Sequence, residues 1–189
     1  MPFRLSRPGD RDVAAFLAAQ RDAPFSYAEV GASRDGPAPP GYVVDHRRVR
    51  LGDGAAAFAR AVAALRAWRM TALGWAHVHP AGAPQAPGAV VAVVVRHHGV
   101  WSLHACRVVY AVDESRRAGF AYGTLPAHAA AGEERFLVER DADDAVWYDL
   151  RAFSRPAHPL TRLGRPLARR LQRRFGHDSA EAMLAAIRP

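Results

Sequence analysis

From Met70 to Ser154 apolar side chains recur at about every second position, and runs rich in Val, Trp, Tyr and Phe are separated only by short turn-forming stretches. Parallel neighbours need connections of about a dozen residues or more, and no interval in this block holds one. The pattern therefore predicts antiparallel strands joined by hairpins. Six fit, near 70–79, 88–96, 100–112, 117–125, 133–140 and 145–154. A seventh is expected at Tyr42 to Leu51, after a loop from Gly31 to Gly41 that holds three Pro and three Gly.

Helical spacing flanks this block. Val13, Phe16 and Leu17 predict a short helix over Asp10 to Gln20, and Phe58, Ala61, Val62, Leu65 and Trp68 predict another over Ala55 to Trp68. The Gly52-Asp53-Gly54 step before the second helix lacks the rest of a phosphate-binding fingerprint. After Pro156 and Pro159, residues Leu160, Leu163, Leu167, Leu171 and Phe175 form a stripe about 80° wide on a long C-terminal helix. Arg162, Arg165, Arg169 and Arg173 point the other way. Met183 and Ile187 are out of phase with the leucines, which predicts a kink or a restart capped by Asp178 or Ser179.

That stripe must be buried, and a curved sheet is the only large partner in the chain. The expected fold class is α+β: a helix-grip, in which a curved antiparallel sheet of about seven strands wraps a long C-terminal helix and leaves a hollow between them. At 189 residues, half of them hydrophobic, one domain over 1–189 is expected, with a short N-terminal helical extension over about 1–40. The lone Cys106 excludes an intrachain disulfide. The longest apolar run, Ala89 to Val95, is far short of the ~20 residues of a membrane span. A cytoplasmic protein without a cofactor or metal is expected.

Net charge is +8, and all 26 basic residues are Arg. With no Lys, no Asn and forty Ala, arginine richness reflects residue usage, so position matters more than number. Leu150 to His177 holds eight Arg and no acid; the rest of the chain is formally neutral. Either the helix presents a solvated face or it meets a polyanion such as nucleic acid.

The order strand, helix, six strands, helix resembles the START/SRPBCC (Bet v 1-like) superfamily, and that resemblance implies an apolar ligand cavity, with cyclases among its enzymatic members. A closer resemblance is carried by Gly41-Tyr42 with Asp45 and Arg48, Leu51-Gly52-x-Gly54, Cys106-Arg-Val-Val-Tyr110, Gly119-Phe-Ala-Tyr-Gly-Thr-Leu-Pro-x-His128, Gly132-Glu-Glu134 and Ala152-Phe-Ser-x-Pro156. These resemble a domain-of-unknown-function family of bacteria and plants along nearly the whole chain. Ala127 and Ala129 stand where that family would have Gly and Pro.

The segment Gly119 to Glu134 concentrates Tyr122, Thr124, His128, Glu133 and Glu134 around a hairpin. Such residues either satisfy turn backbone or face a ligand. Gly119 and Gly123 mark close approach by another element, expected to be the C-terminal helix or a ligand. His128 with Glu133 is the candidate acid/base pair of a cyclase or lyase, although no nucleophile accompanies it. Alternation with Arg107, Asp149 and Arg151 outward turns Cys106, Tyr110, Tyr148 and Leu150 inward. With Trp75, Tyr122, Thr124 and His128 they form the expected ligand-binding set, three tyrosines offering hydroxyls. Cys106 is expected to be inert, its neighbour Arg107 lying on the other face. His77, His79, His97 and His98 do not suit zinc, because a hairpin around Pro80 to Pro87 would leave His97 more than about 20 Å from His77.

Overall fold

The computed structural model describes residues 3–157 and 165–188. Its elements are β1 (Phe3–Arg4), α1 (Asp10–Ala18), β2 (Val43–Asp53), α2 (Gly54–Arg66), β3 (Ala76–His79), β4 (Val90–His97), β5 (Val100–Asp113), β6 (Arg117–Thr124), β7 (Ala130–Arg140), β8 (Ala145–Pro156) and α3 (Arg165–Ile187), with a 3-10 turn at Arg69–Thr71. Seven strands form one antiparallel path, β2-β8-β7-β6-β5-β4-β3, and β1 adds to the early part of β5. This is the helix-grip that the sequence predicts. Its strands agree with expectation except at β3, which begins six residues late because Arg69–Thr71 turns instead of extending. His77 pairs with Val94, so His97 lies three residues along β4 from the partner of His77, about 10 Å along the strand. The separation expected from a longer strand was too large.

The sheet is covered on both faces. On the concave side Phe120, Phe136, Tyr148 and Val91 pack with Ala57, Ala61, Leu65 of α2 and Ala180, Met183, Ile187 of α3. On the convex side Val13, Phe16 and Leu17 of α1 cover Ala92, Val94 and Leu103. Coverage on both sides explains why β4 is apolar at every position from Val90 to Val95, with residues 91 to 94 buried. Gly54 opens α2 and donates its N–H to the Asp144 carbonyl, so this glycine turn is a strand-to-helix junction.

Two expectations about local geometry are overturned. A register shift between Val108 and Tyr110 puts a bulge in β5, and every residue beyond it changes face. Cys106 and Val108 enter the concave core, whereas Tyr110 turns to the convex side and bonds Ser33 at 2.8 Å. The second concerns α3, which runs unbroken through Gly176 to Ser179. No restart is needed there, because the small residues Gly176, Ser179 and Ala180 are buried and carry the contact face smoothly on to Met183 and Ile187. Ser179 is not a cap; its hydroxyl meets Tyr148 Oη at 2.7 Å. Asp178 instead accepts the Trp75 indole N–H at 2.8 Å.

Candidate functional site

The two halves of α3 behave differently. Beyond Gly176 the helix is buried against α2 and the sheet, but Leu167 is 52% exposed and Leu171 and Phe175 are only partly covered. Under this first half lies a partly open hollow of about 770 Å³. Its apolar wall includes Val93, Val95, Leu150, Leu171 and Phe175. The volume falls within the range of small-molecule pockets. Of the expected stripe, Leu160 and Leu163 lie outside the described residues, and Leu167, Leu171 and Phe175 flank the hollow without plugging it.

Polar ties hold this half of α3 in place. Arg169 forks onto Asp45 of β2, with Nη1–Oδ2 at 2.6 Å and Nη2–Oδ1 at 2.8 Å, and Gln172 donates to Ser154 of β8 at 2.9 Å. The expectation that Arg169 points away from the sheet is therefore wrong. Arg169 is two positions from both Leu167 and Leu171, about 160° around the helix from each, and it is this face that meets β2. Arg173 also borders the hollow, with an exposed side chain. Arg162 and the side chain of Arg165 lie outside the described residues.

Among the expected ligand-binding residues, Trp75, Tyr122, Thr124, His128 and Leu150 border the hollow; Cys106, Tyr110 and Tyr148 do not. Tyr148 is consumed by its bond to Ser179 and Tyr110 by its change of face. Cys106 is buried, and burial pushes its thiol well above the usual range, the state of an unreactive sulfur.

Glu133 and Glu134 divide the two faces between them. Glu133 pairs in register with Gly123 and is 2% exposed. Its carboxylate accepts the Tyr27 hydroxyl at 2.6 Å, the Gly31 N–H at 2.8 Å, the Ser33 N–H at 2.9 Å and the Ser33 hydroxyl. It thus fastens the segment from Tyr27 to Ser33 across the convex side. A Cβ at Gly123 would collide with the Tyr27 hydroxyl, and one at Gly119 with the Phe136 carbonyl. Both glycines admit these neighbours, not a ligand or α3. With its acceptors filled, Glu133 has no bond to His128, and the expected acid/base pair does not form.

Glu134 is the carboxylate of the hollow. It pairs with Tyr122, whose hydroxyl donates to it at 2.7 Å. Burial pushes its carboxyl up to about 7, against that hydrogen bond and with help from the charge of Asp45. A second polar patch holds His104 and His128, ring centroids 4.8 Å apart. His128 Nδ1 accepts the Ala130 N–H at 2.9 Å, and burial holds its ring down to about 4. His104 bonds Ser102 through Nε2 at 2.9 Å, and burial followed by the proximity of His128 keeps it well below its ordinary value. Both rings are neutral at pH 7. His104 and Asp45 were not foreseen as site residues, and Glu134 was grouped with the polar residues of the hairpin but not placed in the ligand-binding set. The one signal for Glu134 was period-two alternation with Phe136 and Val138, but Leu137 on the opposite parity is equally apolar. No group of three or more potential metal ligands occurs among the described residues.

Fold and site together define a helix-grip protein with an apolar hollow, one buried acid and two neutral imidazoles. The domain of unknown function DUF1990 matches residues 26–182, and the chain belongs to that family. It is 45% identical to a UPF0548 protein of Deinococcus radiodurans, over 97% of this chain and 98% of that one. A UPF0548 protein of Dictyostelium discoideum is 32% identical over 98% and 95%. In fold it is similar to the crystal structure of a hypothetical protein of Helicobacter pylori, at TM-score 0.53 and 15% identity, covering 79% of this chain and 91% of that one. No helix among the described residues is long and apolar enough to cross a membrane.

Proposed function

We propose that this chain binds a small, mostly apolar molecule in the hollow beneath the first half of α3. The observation that carries the reading is the hollow itself: about 770 Å³, apolar along most of its wall, with its polar groups gathered at few points. Apolar groups that would otherwise be packed, such as Leu171 and Phe175, face this space, and a ligand would remove them from water at roughly 25 cal/mol per Å². Because Arg169 is engaged by Asp45, the polyanion alternative loses one of its four arginines. The cyclase or lyase alternative loses its pair, since Glu133 serves the convex side.

A thermal-shift screen of apolar compounds tests the reading. A true ligand at a hundred times its dissociation constant stabilises the chain by about 2.7 kcal/mol. Ala168→Phe, which projects a ring into the hollow from α3, is expected to remove that response while the unliganded melting temperature stays within a few degrees. Absence of any hit, or hits unaffected by Ala168→Phe, overturns the reading.

A further inference from the structure

We infer that the ligand is an amphipathic amine, an apolar body bearing one protonated amino group that seats against the Glu134 carboxylate; this rests on the ligand-binding reading above. Asp45 and Glu134 are both acids of the hollow, but both oxygens of Asp45 are forked by Arg169, whose Nη1 also reaches Gln172 Oε1 at 2.9 Å. Glu134 receives only the Tyr122 hydroxyl, and no basic side chain pairs with it among the described residues. The groups nearest it are neutral or acidic: Tyr122 from β6, Cys106 from β5, Tyr148 from β8 and Asp45 from β2, while α3 brings Arg169, already engaged.

A carboxylate has about four acceptor positions, and Glu133, one residue earlier, has all of its donors supplied by the chain. An ammonium brings three donors and the missing charge. Hydrogen bonds between ions are roughly twice as strong as neutral ones, and the low dielectric of the hollow strengthens them further. Arg47, Arg155 and Arg173 at the rim oppose a cation, but their side chains are exposed and salt screens them. Burial leaves the Glu134 acid half-protonated near neutrality without a ligand, and an amine partner drives it to the carboxylate.

Four probes of one shape test this on the full chain by calorimetry: phenylbutylamine, phenylbutanol, phenylbutyrate and the ketone benzylacetone. The amine is expected to bind about tenfold tighter than the alcohol or more, with the carboxylate weakest. Glu134→Gln is expected to erase the preference for the amine, bringing its affinity down to about that of the alcohol. The carbon-13 shift of the Glu134 carboxyl in the wild-type chain is expected to move to its ionised value when the amine saturates, a readout that does not depend on any variant folding. Equal or tighter binding of the alcohol, ketone or carboxylate overturns the inference, as does a Gln variant that keeps the preference or a carboxyl shift that does not move. If none of the four binds while other apolar compounds do, the inference falls alone; if nothing apolar binds, the ligand-binding reading falls with it.

Discussion

Glu133 and Glu134 are chemically identical and adjacent, yet they do opposite things. The first is enclosed by four donors from the segment between Tyr27 and Ser33 and acts as a structural clasp. The second faces a hollow, receives one donor and is held toward its neutral form. A carboxylate's role is therefore set by how many donors its face of the sheet can bring to it. The convex face is satisfied within the chain, and the concave face is left with capacity for a partner from outside.

The strongest way to break this contrast is Glu133→Ala. It strands the two N–H groups and two hydroxyls that the carboxylate accepts, and a loss of about 3–5 kcal/mol is expected in urea unfolding. A loss below 1 kcal/mol would mean that the clasp is not structural. Gly123→Ala attacks the same clasp from the other side by pushing a methyl into the Tyr27 hydroxyl, and a loss of about 2–3 kcal/mol is expected from overpacking.

Glu134→Gln should have the opposite sign. Above about pH 4.5 the unfolded chain ionises this residue, whereas the folded chain keeps its proton until about 7, so the unfolded state binds fewer protons and stability falls as pH rises between the two. Gln avoids that loss and still accepts the Tyr122 hydroxyl. Urea titrations are expected to find the variant more stable by about 1–3 kcal/mol at pH 8 and equal to wild type below pH 4.5. A gain that is independent of pH would show that Glu134 is not the group responsible. His128 works in the reverse direction. Its ring, held down to about 4, lets the unfolded chain take up a proton first, so its contribution falls as pH drops from about 6.5 to 4, and His128→Gln is expected to flatten that limb.

The smallest effect is expected from Arg169→Ala. The pair with Asp45 is partly exposed, 23% and 22% at its two side chains, so its loss should amount to about 1 kcal/mol or less. Hydrogen exchange is the sharper readout. Amides of Leu171 to Phe175 are expected to exchange faster than those of Met183 to Ile187, because only the first half of α3 depends on this tie.

Antiparallel order and the six strands from β3 to β8 were legible in residues 70–156, because period-two alternation and short turns leave no room for another topology, and the terminal helix was legible in the leucine spacing that follows. Membership of the family was legible as well, in the glycine-rich segment before His128 and in Gly132-Glu-Glu134. The sides of the strands were not. Tyr110 was assigned by parity from Cys106, and one bulge reversed it. The pair of glutamates lies between Gly132 and the apolar Phe136-Leu137, a pattern that reads equally well in either register. Arg169 looked like a solvated arginine because helix phase was taken from the leucines, whereas Asp45, 124 positions earlier, decides where it points.

Local alternation and turn chemistry act over a few residues, and this sequence states them in order; they determined the curved antiparallel sheet and the long helix that closes it. Which glutamate is a clasp and which faces the hollow, and where α3 lifts away from the sheet, depend on partners brought from far along the chain. Only the tertiary structure decided those, because the free energy of a buried charge is set by the donors that packing places around it and not by its neighbours in sequence.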